Sequence, residues 1–134
     1  MTSFSQIPSI DHFVIKQEST MGDPCDPIVI QWKFELKHSS WSVVQIGKYH
    51  KESGRHPKRT TFSLPTDLIE KFLRKIGSID IPLFLPFDMG CDGAFTELEY
   101  GGYFGGLKLR WWSCPPKELE KLDRAVTSLL EGIQ

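Results

Sequence analysis

Residues Asp92 to Ile133 run as an antiparallel hairpin straight into an amphipathic helix, and the hairpin admits a single register. Folded about Gly101-Gly102-Tyr103-Phe104-Gly105-Gly106, the chain sets Leu98 against Leu109, Tyr100 against Leu107 and Thr96 against Trp111 on one side. On the other side Glu99 meets Lys108 and Glu97 meets Arg110, each pair opposite in charge. Directly opposed side chains are the unit of sheet stabilisation, and a slip of one residue turns the apolar set to solvent. The pattern therefore favours one alignment and penalises its neighbours. It specifies architecture and brings no chemistry with it.

Upstream, Ile28 to Leu36 alternates Ile28, Ile30, Trp32, Phe34 and Leu36 with Val29, Gln31, Lys33 and Glu35, the period of a half-buried strand. Asp11 to Gln17 predicts a strand before it, with the breaker-rich Met21 to Pro27 as a loop between them. The polar turn Lys37-His38-Ser39-Ser40 leads into a strand over Trp41 to Tyr49, and Lys58 to Leu64 reads as another. Leu68, Ile69, Phe72, Leu73 and Ile76 then recur at helical spacing, with Thr66 or Asp67 as cap and Gly77 as stop. The last helix has Ser113 as cap, Pro115-Pro116 in its first turn and Gly132 at its exit. Leu119, Leu122, Val126, Leu129, Leu130 and Ile133 form its apolar stripe, and Glu120 with Arg124 faces water at an i,i+4 spacing. Gly77 to Gly93 shows no clear period. These elements predict one α+β domain over residues 1–134, with an antiparallel sheet of about six strands built as a meander plus the C-terminal hairpin. The two helices, the second C-terminal, pack on one face of it.

Sixteen basic and seventeen acidic side chains leave a formal charge of -1, so no whole-chain field draws this protein to nucleic acid or membrane. The N-terminal residues Met1 to Gln6 lack the basic start and apolar core of a signal peptide, and no run is long enough to span a bilayer. The expected location is the cytoplasm. Cys25, Cys91 and Cys114 are widely spaced and share no zinc-ligand pattern with His12, His38, His50 or His56, so reduced thiols are expected. Cys114-Pro115 matches the dipeptide of some haem-regulated sites, a match short enough to arise by chance.

Four stretches are candidates for function. Asp88 to Glu99 places Asp88, Asp92, Gly93 and Glu99 at calcium-loop positions, but prolines precede it and a strand follows, where a helix belongs on each side. Glu97 and Glu99 share a strand face and offer paired carboxylates, although both have basic partners across the hairpin. Lys48 to Arg59 gathers Lys48, Lys51, Arg55, Lys58 and Arg59 around a glycine turn, either a solvated hairpin tip or a contact for phosphate or an acidic protein. Finally Trp111 and Trp112, adjacent on a strand, point to opposite faces, which sets Trp112 opposite Phe95 on the polar side. Such a pair is either covered by a second layer or exposed as a partner surface, and the apolar Ile79 to Phe87 segment, with Phe84 and Phe87, offers a similar surface.

The run Asp92-Gly93, Thr96 to Glu99, a glycine turn, Leu109-Arg110-Trp111-Trp112-Ser113, Pro115-Pro116 and a Leu-rich helix resembles a C-terminal block of many small uncharacterised bacterial proteins. In size and build the chain also resembles the immunity proteins that neutralise bacterial toxins. That resemblance implies a bacterial protein-binding role with a toxin as partner, and it carries over no catalytic residue, cofactor or metal. The expected partner surface comprises Phe95, Trp112, Phe84, Phe87, Lys51, Arg55, Lys58 and Arg59. The competing expectations are an enzyme or ligand-binding domain with a pocket between helices and sheet, where His12, Asp88, Asp92 or Glu97 would converge, and nucleic-acid binding through residues 48–59.

Overall fold

A computed structural model describes residues 10–19, 27–81, 94–102, 105–113 and 115–133. Six strands, β1 (His12–Ser19), β2 (Val29–Lys37), β3 (Ser40–Lys48), β4 (Lys58–Leu64), β5 (Ala94–Gly102) and β6 (Gly105–Trp112), form one sheet in the order β4-β3-β2-β1-β5-β6. Every neighbouring pair is antiparallel. Two helices, α1 (Thr66–Gly77) and α2 (Glu120–Glu131), complete this α+β fold. No described helix is long and apolar enough to cross a membrane.

The register read from the charge and apolar pairs is the register of the folded hairpin, from Phe95 opposite Trp112 to Tyr100 opposite Leu107. Pairing continues further than expected, through Gly101 with Gly106 and Gly102 with Gly105, so these glycines are strand rather than loop. The two backbones close tightly there: a Cβ on Gly106 would lie 2.8 Å from the Tyr100 carbonyl oxygen.

Phe13 is the hub of the core. Its ring stacks on Phe34 at 4.4 Å between centroids, and Phe72 of α1 and Trp41 of β3 lie at 5.4 and 5.7 Å. Ile15, Trp32, Val43, Leu98 and Trp111 share that face, and Ile69, Leu73, Leu122, Val126 and Leu129 of the helices close over it. The period of two in the strands and the helical stripes thus meet as a single apolar layer. One polar link crosses it: the Trp111 indole Nε1 donates to Asp123 Oδ1 of α2 at 2.7 Å.

The helix ends differ from expectation. Neither Thr66 nor Asp67 caps α1, because Pro65 occupies the cap position in extended conformation and no side chain bonds the first amides. Ser113 and the two prolines do not open α2; Pro116 stays extended and leads into a 3₁₀ turn at Lys117–Leu119. α2 begins only after that turn, at Glu120. Gly132 caps α2 with right-handed angles, so no left-handed turn calls for it. A Cβ there would lie 3.4 Å from a Leu68 methyl, in ordinary contact, so packing does not call for glycine either.

β2 and β3 join through a two-residue turn in which His38 (φ 52°) and Ser39 (φ 64°) are both left-handed, with Lys37 paired to Ser40. This is the conformation that Asn-Gly adopts with least strain, whereas His and Ser carry a Cβ penalty. The double substitution His38→Asn, Ser39→Gly is expected to raise stability by about 1 kcal/mol and the melting temperature by about 4 °C. Thermal and urea denaturation monitored by circular dichroism will check this, and an unchanged midpoint would show that the turn is not strained.

Candidate functional site

The helices cover one face of the sheet, and among the described residues no helix covers the other, to which the alternation of side chains turns Lys16, Glu18, Glu97 and Arg110. On that open face β1, β5 and β6 carry a continuous web of charge. Glu97 stands opposite Lys16 in the β1–β5 ladder and receives its ammonium at 3.5 Å, while Lys108 approaches the other carboxylate oxygen at 3.7 Å. Lys108 also reaches Glu99 at 3.8 Å. Glu97 is therefore only 8% exposed although it lies on the side away from the core.

The expected Glu97–Arg110 ion pair does not form. The two residues are in register, but Arg110 turns instead to Glu18 of β1 at 3.4 Å. Its guanidinium lies 4.0 Å from the centroid of the Phe95 ring, a cation–π contact that the charge pairing alone does not reveal. Phe95 in turn meets the edge of Trp112 at 4.6 Å with the rings inclined by 72°. The row Glu18, Arg110, Phe95, Trp112 is thus packed side chain on side chain across three strands.

This packing decides the question raised by the aromatic pair. Trp112 is 5% exposed and Phe95 is half-buried, so the pair is not an open aromatic patch. Arg110 covers Phe95, and the Trp112 indole is withdrawn from solvent. Phe84 and Phe87 lie outside the described residues, as do Asp88, Asp92 and the cysteines Cys25, Cys91 and Cys114.

His12 and Glu97, two of the groups expected to converge between helices and sheet, both lie on the open face, and the helix–sheet space near them is filled by core side chains. Nδ1 of His12 and Oδ1 of Asp11 are 2.7 Å apart, and this hydrogen bond holds the exposed Asp11 carboxyl below its ordinary range. Shallow depressions of about 410 and 450 Å³ flank His12, one bordered by Val14, Glu99, Tyr100 and Lys108, the other by Lys33, Glu35 and Lys37. Their rims are charged and open, unlike the enclosed apolar pockets that hold most small ligands. Among the described residues no three His, Cys, Asp or Glu side chains gather to hold a metal ion.

The basic stretch sits at the far side of the sheet, joining β3 to β4. A 3₁₀ turn at Lys51–Ser53 and a left-handed Gly54 reverse the chain, the Ser53 hydroxyl donates to the His50 carbonyl at 2.6 Å, and Arg55 lies over the Tyr49 ring at 5.5 Å. Lys51, Arg55, Lys58 and Arg59 are all exposed. Among the described residues Lys51, Lys58 and Arg59 enter no ion pair. The tip is held from behind by the β3–β4 ladder, which starts at Gly47 with Lys58.

Lys16 and Glu18 were missed by sequence reasoning, because the strand beside β1 on its second side was not identified. The signal was present: Lys16 and Glu18 alternate in sign in step with Glu97 on β5 and Arg110 on β6. The chain matches no protein-family model and no curated protein sequence.

Because Glu97 lies between two ammonium groups, its loss leaves like charges facing each other. Glu97→Ala is expected to destabilise by about 1 kcal/mol, and Glu97→Lys by clearly more, because it adds a third cation. Urea denaturation at low and high salt will check both; a Glu97→Lys variant as stable as the wild type would show that the web contributes nothing.

Proposed function

We propose that this chain is a small protein-binding module of the toxin-neutralising kind, and that it meets an acidic surface of its partner with the basic β3–β4 tip. The observation that supports this reading is the state of the tip. Lys51, Lys58 and Arg59 are exposed and engaged in no ion pair among the described residues, whereas Lys16, Lys108 and Arg110 on the opposite half of the sheet are each held by a carboxylate. Cations left unneutralised on a rigid turn speed encounter with an opposite charge and fix its orientation.

The same cations would attract phosphate, so nucleic acid is the natural rival. One feature of the loop disfavours it. Tyr49, the sole tyrosine, tryptophan or phenylalanine between Lys48 and Arg59, already lies under Arg55 and is half-buried. Single-stranded nucleic acid is gripped by open aromatic platforms as well as by charge.

The test is affinity capture on immobilised wild type and on a Lys51→Glu, Arg55→Glu variant, with nuclease-treated lysate and identification of what is retained. The expected outcome is an acidic protein held stoichiometrically by the wild type and bound at least about tenfold less tightly by the variant, a loss of about 1.4 kcal/mol. Circular dichroism should show the variant folded. Equal retention by both proteins would contradict the reading, as would capture that nuclease abolishes.

A further inference from the structure

The two outer edges of this sheet are unequal. Along β6 the edge carries Lys108 and Arg110, and its final residues Trp111 and Trp112 are buried. β4 carries its charges, Lys58 and Arg59, only at its start. From Thr60 to Leu64 it has no charge and no proline, Thr61 and Ser63 are exposed, and among the described residues no strand lies beyond it. Natural sheets guard their edges with charges, prolines or bulges, and an unguarded edge is a template for another strand.

The direction of its free backbone groups follows from the β2–β3 turn. A two-residue hairpin makes Lys37 and Ser40 a hydrogen-bonded pair, and antiparallel ladders alternate from there. Trp41, Val43, Gln45 and Gly47 therefore point their amides and carbonyls at β4, where Leu64, Phe62, Thr60 and Lys58 receive them. Arg59, Thr61 and Ser63 point theirs away from the sheet.

We infer that this edge pairs with the β4 edge of a second copy of the chain, antiparallel about a two-fold axis through Thr61. In that register Thr61 stands opposite Thr61 and Arg59 opposite Ser63, so all the outward backbone groups find partners. Even-numbered residues remain on the helix side, which lays Thr60 against Phe62 and extends the apolar layer across the seam. The charges are self-complementary. Lys58 comes opposite Leu64 of the second copy, where that chain turns into α1 at Thr66 and Asp67. The exposed Asp67 carboxylate offers Lys58 an opposite charge there. A two-fold interface requires such a match, since each half of the patch meets the other half. The pairing places the two basic tips at opposite ends of the seam; it takes up Lys58 and leaves Lys51 outside it.

Sedimentation velocity on the full chain, from roughly 1 μM to 1 mM, reads the association directly. The expected result is a concentration-dependent dimer that Thr61→Pro weakens at least about tenfold. The proline removes only an amide that faces outward and leaves the β3–β4 ladder bonded, so circular dichroism should be unchanged. Thr61→Lys, which sets two cations face to face across the axis, serves if the proline variant fails to fold. Lys58→Glu and Asp67→Lys should each weaken the dimer, and their combination should restore it. A monomer at every concentration would overturn the inference. So would a dimer that survives the Thr61 variants, since another surface would then hold it.

Discussion

Among the described residues β1 is the only strand that joins the two halves of the sheet. The meander β2–β3–β4 and the hairpin β5–β6 are local in sequence, and each closes on its own neighbours. Neither borders the other except through β1, which pairs with β2 along one side and β5 along the other. An isolated hairpin is marginal in water, and three or more strands with a buried face are needed for independent stability. β1 supplies that continuity with Phe13 and Ile15 toward the helices and Lys16 and Glu18 toward the open face. The entropy of bringing β5 back to β1 is recovered at one place, where Ile15 meets Leu98 and Lys16 meets Glu97.

The two faces of the sheet follow from that junction. On the helix side β1 places Phe13 at the centre of the aromatic group that receives α1, while Trp111 ties β6 to α2 through Asp123. On the open side β1 furnishes the counter-charges for β5 and β6, so that half of the face is neutralised and closely packed. The other half, β3 and β4 with their connection, holds the unneutralised cations and the unguarded edge. Packing and charge thus divide the molecule into a half that has satisfied its own groups and a half that has not, and the proposed contacts fall on the second.

Much of the fold was legible because its signals are short-range. The period of two in β2, the helical stripes of α1 and α2 and the opposed pairs of β5–β6 each lie within a few dozen residues, and each appears in the structure. Helix starts were less legible. Ser113 and Thr66 are good capping residues by type, yet Pro116 and Pro65 set the chain direction and leave those hydroxyls out of the cap. The placement of β5 beside β1 was not read at all, because it depends on residues some eighty positions apart. That omission carried into the site. With Lys16 and Glu18 unplaced, Arg110 was assigned to Glu97, and Phe95 with Trp112 remained an open question that Arg110 and burial answer. The basic tip was legible as a charge cluster, and the absence of ion pairs at Lys51, Lys58 and Arg59 among the described residues became visible only with the strands in place.

Native-state hydrogen exchange tests the role of β1 most directly. If β1 joins one cooperative unit, amides of β1, β2 and β5 that bond within the ladders should share the slowest exchange and the free energy of global unfolding. Exchange of the β5–β6 amides at a distinctly lower free energy, with β1 to β4 still protected, would contradict the account. It would show that the hairpin opens by itself and that the Ile15–Leu98 and Lys16–Glu97 junction does not hold the sheet together.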